Sequence, residues 1–354
     1  MTAPPTSPDG APAPPLHGSE PREGTEFRWS STDRFRRAFR AFRSNHALIG
    51  GLFILGGFVA LALLSGVIYP GDATYLPSHL QQGITCPEPI APTWTLYPFH
   101  PGAWPLGQTG SWGFNVLQGL VLGTPWDLLL LTLVIVPSVL IGLVLGVLAG
   151  GLGGWPDDLL MGVTDIFLSV PEFLLTLIAL GFLLALVPDD QRLFTFGILL
   201  VVVLWAPYAR TVRSRARAVA ALPFVESARA AGAGRARILA RHILPASLFP
   251  VFAQIPTTLA TVLLLLGGLQ YANLAQHAYS CVSPATPIFL PSATFPEWTW
   301  VMANGASAWL PASSGLDPWW GYAFPALWIF LFGLGVMLVC DGLGSATGRT
   351  DRVG

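Results

Sequence analysis

Six apolar stretches, each close to the length of a membrane-crossing helix, leave this chain few architectures to choose from. They run at about 47–69, 126–150, 158–187, 194–212, 247–270 and 322–344. About 20 apolar residues in a helix cross a hydrocarbon core about 30 Å thick. Of 354 residues, 53% are hydrophobic and only 10% are charged, against roughly 25% charged in soluble domains. The chain therefore reads as an all-α polytopic membrane protein with six transmembrane helices. The third stretch is overlong and is expected to tilt or to extend past the bilayer.

Arginines fix the expected orientation, because cytoplasmic loops keep them. Every one of the 18 basic residues is arginine. With both termini in the cytoplasm, seven from Arg22 to Arg43, eight from Arg210 to Arg241, and Arg349 with Arg352 lie inside, and Arg192 alone lies outside. This orientation predicts a disordered cytoplasmic tail at 1–26 without a secretory signal, a basic amphipathic interfacial segment at 27–46 and a first span at 47–69. It places an extracytoplasmic segment at 70–125, a transmembrane core at 126–344 containing a charged inner loop at 213–245 and an outer segment at 271–321, and a cytoplasmic tail at 345–354. The two large outer segments are rich in tryptophan: Trp94, Trp104 and Trp112, with Trp126 at the start of the second span, cluster before that span, and Trp298, Trp300, Trp309, Trp319 and Trp320 lie in the other. Anchoring at the membrane interface is the simpler expectation for these rings, and contact with a docking protein or a passing solute is the other.

Composition also removes several function classes. A net charge of −1 gives no sign of a nucleic-acid partner. The absence of lysine rules out a Walker A lysine, so the chain is not by itself an ordinary P-loop ATPase. His17, His46, His79, His100, His242 and His277 are scattered, with no metal-site spacing, and no catalytic set can be assembled. Cys86 and Cys281 both fall in the outer segments and are expected to form a disulfide tying them together, whereas Cys340 reads as a small buried hydrophobe.

The inner loop carries the sharpest signal. Pro223 suits the first turn of a helix, Glu226 favours its N-terminal dipole, Ala228, Ala230 and Ala231 keep it thin, and Gly232 suits its stop. Gly234 allows a second bend, and a second helix from Arg235 to Ile243 would set Ile238, Leu239 and His242 on one side before Pro245 breaks it. A short, thin, acid-capped helix ending in a glycine bend fits a groove on another protein, while a basic loop held at anionic lipid headgroups is the alternative on spacing alone.

Glu226-Ser227-Ala228, then Gly232, then Ile243-Leu244-Pro245 resembles the EAA loop of ABC-importer permeases, in the dipeptide, oligopeptide and nickel branch and of its second-permease type. Similar stretches continue at Gly150–Pro171, at Asp317–Phe330 and at Cys340–Leu343, whereas the segment from His100 departs from the family pattern. The resemblance implies a type I ABC-importer permease fold in the cytoplasmic (inner) membrane, with Phe224, Val225, Glu226, Ser227, Ala228, Gly232, Arg235, Arg237 and Pro245 coupling it to an ATPase. It implies a second homologous permease, two ABC ATP-binding subunits that bind ATP and Mg, an extracytoplasmic solute-binding protein and a peptide substrate. No cofactor, metal or catalytic residue is implied for this chain.

Asp165 and Glu172 stand inside the third apolar stretch, seven residues apart and so nearly on one helix face. A bare carboxylate at the bilayer centre costs about 2.5–3.5 kcal/mol, so each needs partners or water. Asp165 is expected to make a structural hydrogen bond, and Glu172 to line a pore or touch the partner permease. A proton- or ion-coupled secondary carrier using both carboxylates is the alternative to an ATP-driven importer.

Overall fold

The computed structural model describes residues 45–69, 106–107, 115–184, 192–277, 297–307 and 319–348. The chain divides into Met1–Ala41 and Phe42–Gly354, and every described residue belongs to the second unit. The expected tail at 1–26, almost all of the basic segment 27–46, most of 70–125, and both Cys86 and Cys281 lie outside the described residues.

In chain order the helices are α1 (His46–Ile68), α2 (Val116–Leu152), α3 (Trp155–Ser169), α4 (Glu172–Leu184), α5 (Arg192–Ala220), α6 (Pro223–Ala230), α7 (Arg235–Ile238), α8 (Leu244–Ala246), α9 (Phe249–His277), α10 (Trp298–Ser307) and α11 (Trp320–Gly348). A π-helical turn, Leu239–Ile243, joins α7 to α8. Among the described residues, five helices are long and apolar enough to cross a membrane, and the α3–α4 pair makes a sixth span if its bent halves are counted as one.

Two expectations about the spans are corrected. The third stretch is not one helix, because α3 and α4 meet at an angle of 83°. Val170 is extended, with φ −102° and ψ 134°, as a residue before proline prefers, and Pro171 then allows a fresh start at Glu172. The second span begins at Val116 rather than near 126. Asn115 caps it by accepting the Gln118 N–H at 3.3 Å, and buried Val116, Leu120 and Val121 continue its apolar face.

Backbones meet closely at two seams. On α2, Gly142, Gly146 and Gly150 recur every four residues and so share one face. A Cβ added at Gly146 would sit 2.7 Å from the Ala209 carbonyl oxygen and from Val212 Cβ of α5, and one at Gly150 would sit 2.8 Å from Ala216 Cβ. Small residues at such positions let membrane helices approach through their backbones. At the other seam, an added Cβ at Gly51 of α1 would lie 2.8 Å from the Gly335 carbonyl oxygen of α11, and Asn45 donates to the Ser345 hydroxyl at 3.1 Å.

The apolar interior falls into separate clusters. The largest gathers Phe58, Leu120, Leu130, Val134, Leu200, Leu266, Trp298 and Phe332 from α1, α2, α5, α9, α10 and α11. Trp298 and Trp300 therefore sit inside the protein, not in an aromatic belt: Trp298 is wholly buried, edge-on to Phe58 and Phe332 at 5.6 and 5.2 Å. Within the expected outer segment 271–321, then, lies a helix, α10, that returns to the core. Cys340 is buried, as expected of a small apolar residue.

A second cluster joins Leu143, Val147, Tyr208, Val212, Ala216 and Val219 to Val225, Ile238 and Ile243. It carries the packing of the α2–α5 pair directly into the charged segment that follows α5. Phe53, Leu63, Val67 and Leu264 point large apolar side chains outward, as suits surfaces that face lipid or another apolar chain.

Candidate coupling segment

The segment after α5 starts on a sequence that dictates its own geometry. Leu222 is extended, with φ −78° and ψ 145°, and Pro223 opens α6 where a missing N–H costs nothing. The Leu222 carbonyl accepts the Val225 N–H at 2.9 Å. Glu226 falls in the first turn, beside the positive end of the helix dipole.

The helix ends on a Schellman arrangement. The Gly232 N–H donates to the Arg229 carbonyl at 2.9 Å, and the Ala233 N–H to the Ala228 carbonyl at 3.0 Å. This closure needs a left-handed residue, and Gly232 supplies it with φ +79°. Gly234, by contrast, is extended with φ −66° and ψ 153° and simply opens α7, so the second bend does not rest on glycine's freedom.

Past Gly234 the structure corrects the sequence reading. No uniform helix runs from Arg235 to Ile243; the turn widens, and the Leu244 N–H reaches back five residues to the Leu239 carbonyl. Pro245 does not break the helix but lies within α8. A proline ring clashes with the carbonyl four residues earlier in a regular α-helix, and a widened turn before it relieves that clash. The extra residue also rotates the chain, so that Ile238 and Ile243 point inward, with Leu239 packed beside them. His242 is half-buried against the Phe224 ring, with centroids 6.0 Å apart.

The residues expected to couple thus divide by face. Val225 is wholly buried and anchors α6, and Ala228 is half-buried. Phe224, Glu226, Ser227, Gly232, Arg235, Arg237 and Pro245 are exposed. The Ser227 hydroxyl donates to the Pro223 carbonyl at 2.9 Å, so it closes on its own helix.

The arginines leading into the segment have specific partners. Arg213 holds Asp157, in the first turn of α3, through two hydrogen bonds of 2.5 and 2.8 Å. Arg217, one turn on, reaches the same carboxylate at 3.2 Å. Asp157 has a side chain only 1% exposed, and the pairing offsets the high cost of a buried charge. Arg215 Nε donates to the Ala246 carbonyl at 3.3 Å, tying α5 to α8.

Asp165 pairs with Arg210 across the α3–α5 contact, on an exposed face. Glu172 starts α4 beyond the bend and is half-buried, so the two carboxylates do not share a helix face as expected. The sequence reading missed Asp157 and the glycine stripe, although the two acidic residues after Gly153-Gly154-Trp155-Pro156 and the four-residue spacing of Gly142, Gly146 and Gly150 were visible signals. It also missed Asp127, a buried carboxylate on α2 that binds the backbone of α10.

Comparison with known proteins agrees with this geometry. The family described as the binding-protein-dependent transport system inner membrane component matches residues 142–273, a range that spans the glycine stripe, α3 and the whole charged segment. A putative peptide transport system permease of Brucella suis is 30% identical over 247 residues, covering 69% of this chain and 73% of its own. The dipeptide transport system permease DppC of Alkalihalophilus pseudofirmus is 26% identical over 337 residues, 94% of this chain and 96% of its own. A probable D,D-dipeptide transport system permease, DdpC, of Escherichia coli is 28% identical over 285 residues, 80% and 83% of the two chains. With its spans, its charged segment and these likenesses in agreement, the chain belongs to the inner-membrane permease components of binding-protein-dependent transport systems, as a multi-pass protein of the inner membrane.

Proposed function

We propose that this chain is one of two permeases of an ATP-driven ABC importer, that it moves peptides of dipeptide or oligopeptide size inward, and that α6 to α8 receive the force. The observation that carries the reading is the two-sidedness of α6: Val225 locks it into the core of this chain, while Phe224, Glu226 and Ser227 are exposed on the other side. A rigid, thin helix presented in this way fits a groove on a separate subunit. The peptide substrate rests on the names of the relatives.

In this reading both termini and the charged segment are cytoplasmic, in line with the arginine distribution, and the large tryptophan-rich segments face outward. ATP and Mg are bound by two ATP-binding subunits, a solute-binding protein delivers peptide, and a second permease completes the pathway. The chain itself performs no chemistry. A carrier built on Asp165 and Glu172 gains no support, because Arg210 engages the first and the α3–α4 bend separates it from the second.

The test is reconstitution of the chain with its second permease, ATP-binding subunits and binding protein in vesicles. Uptake of labelled dipeptide that needs ATP and survives collapse of ion gradients is the expected result. Uptake driven by a proton or ion gradient without ATP would falsify it.

A further inference from the structure

Resting on that permease reading, we infer that Asp157 is a positioning residue that makes α3 travel with the coupling segment. Asp157 sits in the first turn of α3, its side chain almost sealed from solvent, and its carboxylate is gripped by Arg213 and Arg217. Those two arginines lie on the closing turns of α5, about ten and six residues ahead of Pro223, which opens α6. A push delivered to α6 therefore meets α3 through this carboxylate.

Two further observations make the joint a block rather than a single bond. A Cβ added at Gly150 of α2 would lie 2.5 Å from the Arg213 carbonyl oxygen and 3.1 Å from the Arg217 nitrogen, so the same arginine backbone is pressed against α2. A Cβ added at the neighbouring Gly151 would lie 3.4 Å from Ile243 Cδ1, which brings the coupling segment itself to the end of α2. Among the described charged groups facing the joint, Asp165 is occupied with Arg210, and Arg215 is directed to the Ala246 carbonyl. Asp157 is then the buried charged link from the joint to the α3–α4 span, with the exposed Asp165–Arg210 pair as a second tie farther along α3, and the 83° bend of that span places a second direction of movement beyond Pro171.

The experiment uses the full complex in vesicles with Asp157→Ala, Asp157→Asn, Arg213→Ala and the Asp157→Ala/Arg213→Ala pair. Peptide imported per ATP hydrolysed should fall by about fivefold or more in Asp157→Ala while hydrolysis continues. The double variant should be no worse than Asp157→Ala, since both changes remove one interaction. Asp157→Asn keeps the side-chain shape and should show the same loss if Asp157→Ala assembles poorly.

A second readout does not depend on transport. Spin labels at Leu159→Cys on α3 and Arg229→Cys on α6, both exposed positions, with the native cysteines replaced, should give a narrow distance distribution that Asp157→Ala broadens. Unchanged import per ATP together with an unchanged distribution would overturn the inference. If the unsubstituted complex shows no ATP-dependent uptake, the permease reading fails instead, and the label distribution still decides the link between Asp157 and α6.

Discussion

The Asp127 carboxylate of α2 accepts the Trp298 backbone N–H at 2.8 Å and so closes the N-terminus of α10 from 171 positions away in the chain. The Trp298 indole adds a second tie to α2, donating from Nε1 to the Leu120 carbonyl at 3.2 Å. That carbonyl also accepts the Thr124 hydroxyl at 2.7 Å, just before Pro125. A long-range side chain here does the work that a local cap does in most helices.

Asp127→Ala should therefore loosen α10 specifically, at a cost of about 1–2 kcal/mol, while Asp127→Asn, which keeps an acceptor, should lose less than half of that. Thermal unfolding of the detergent-purified protein measures the cost. Proteolysis or hydrogen exchange confined to Trp298–Ser307 shows whether the loss is local, and uniform loosening of all helices would contradict it.

Gly146→Ala should destabilise the α2–α5 seam by about 1–3 kcal/mol, the usual cost of overpacking, because backbone rather than a mobile side-chain end meets the new methyl group. Gly162→Ala is the control: nothing lies within 4 Å of a Cβ built there. Folded yield and melting temperature should drop for the first and hold for the second. Equal tolerance would mean that the seam can slide apart without penalty.

Gly232→Ala should cost about 1–2 kcal/mol, since φ is +79° and an L side chain resists that conformation, and Gly232→Asn should cost less. The open space around Gly232 removes crowding as an explanation. The readout is exchange protection of the Gly232 and Ala233 amides, which should fall before that of α5.

Substituting the free side of α6 should separate docking from folding. Glu226→Gln and Phe224→Ala should leave membrane insertion and melting temperature within about 0.5 kcal/mol of the parent, as exposed changes usually do, yet weaken recovery of the ATP-binding subunits on co-purification. Val225→Ala should do the reverse and cost about 1.5–3 kcal/mol through its two buried methyl groups. If Glu226→Gln loses insertion, the helix serves structure rather than docking.

What the sequence made legible was local. Pro223 and Gly232 mark the two ends of α6 because each acts through its own backbone, without distant help. The apolar runs at α1, α9 and α11 were visible for the same reason: length and composition decide a span. The bend at Val170–Pro171 was hidden by apolar residues that continue on both sides of it, although the proline was the clue. Trp298 was read as an interfacial ring because richness in tryptophan suggests a belt, and only a partner on α2 turns it inward. The π turn escaped for a similar reason: hydrophobic spacing assumes a constant pitch, and Pro245 changes it.

The inward and outward faces of α6 answer to different demands. Val225, with Ile238 and Ile243 behind it, is fixed by the shape of this chain's own core, whereas Phe224, Glu226 and Ser227 touch little of it. The outer face is thus open to exchange as a cassette: transplanting those three side chains from a related permease, with Val225 left in place, should redirect the choice of motor without rebuilding the membrane helices.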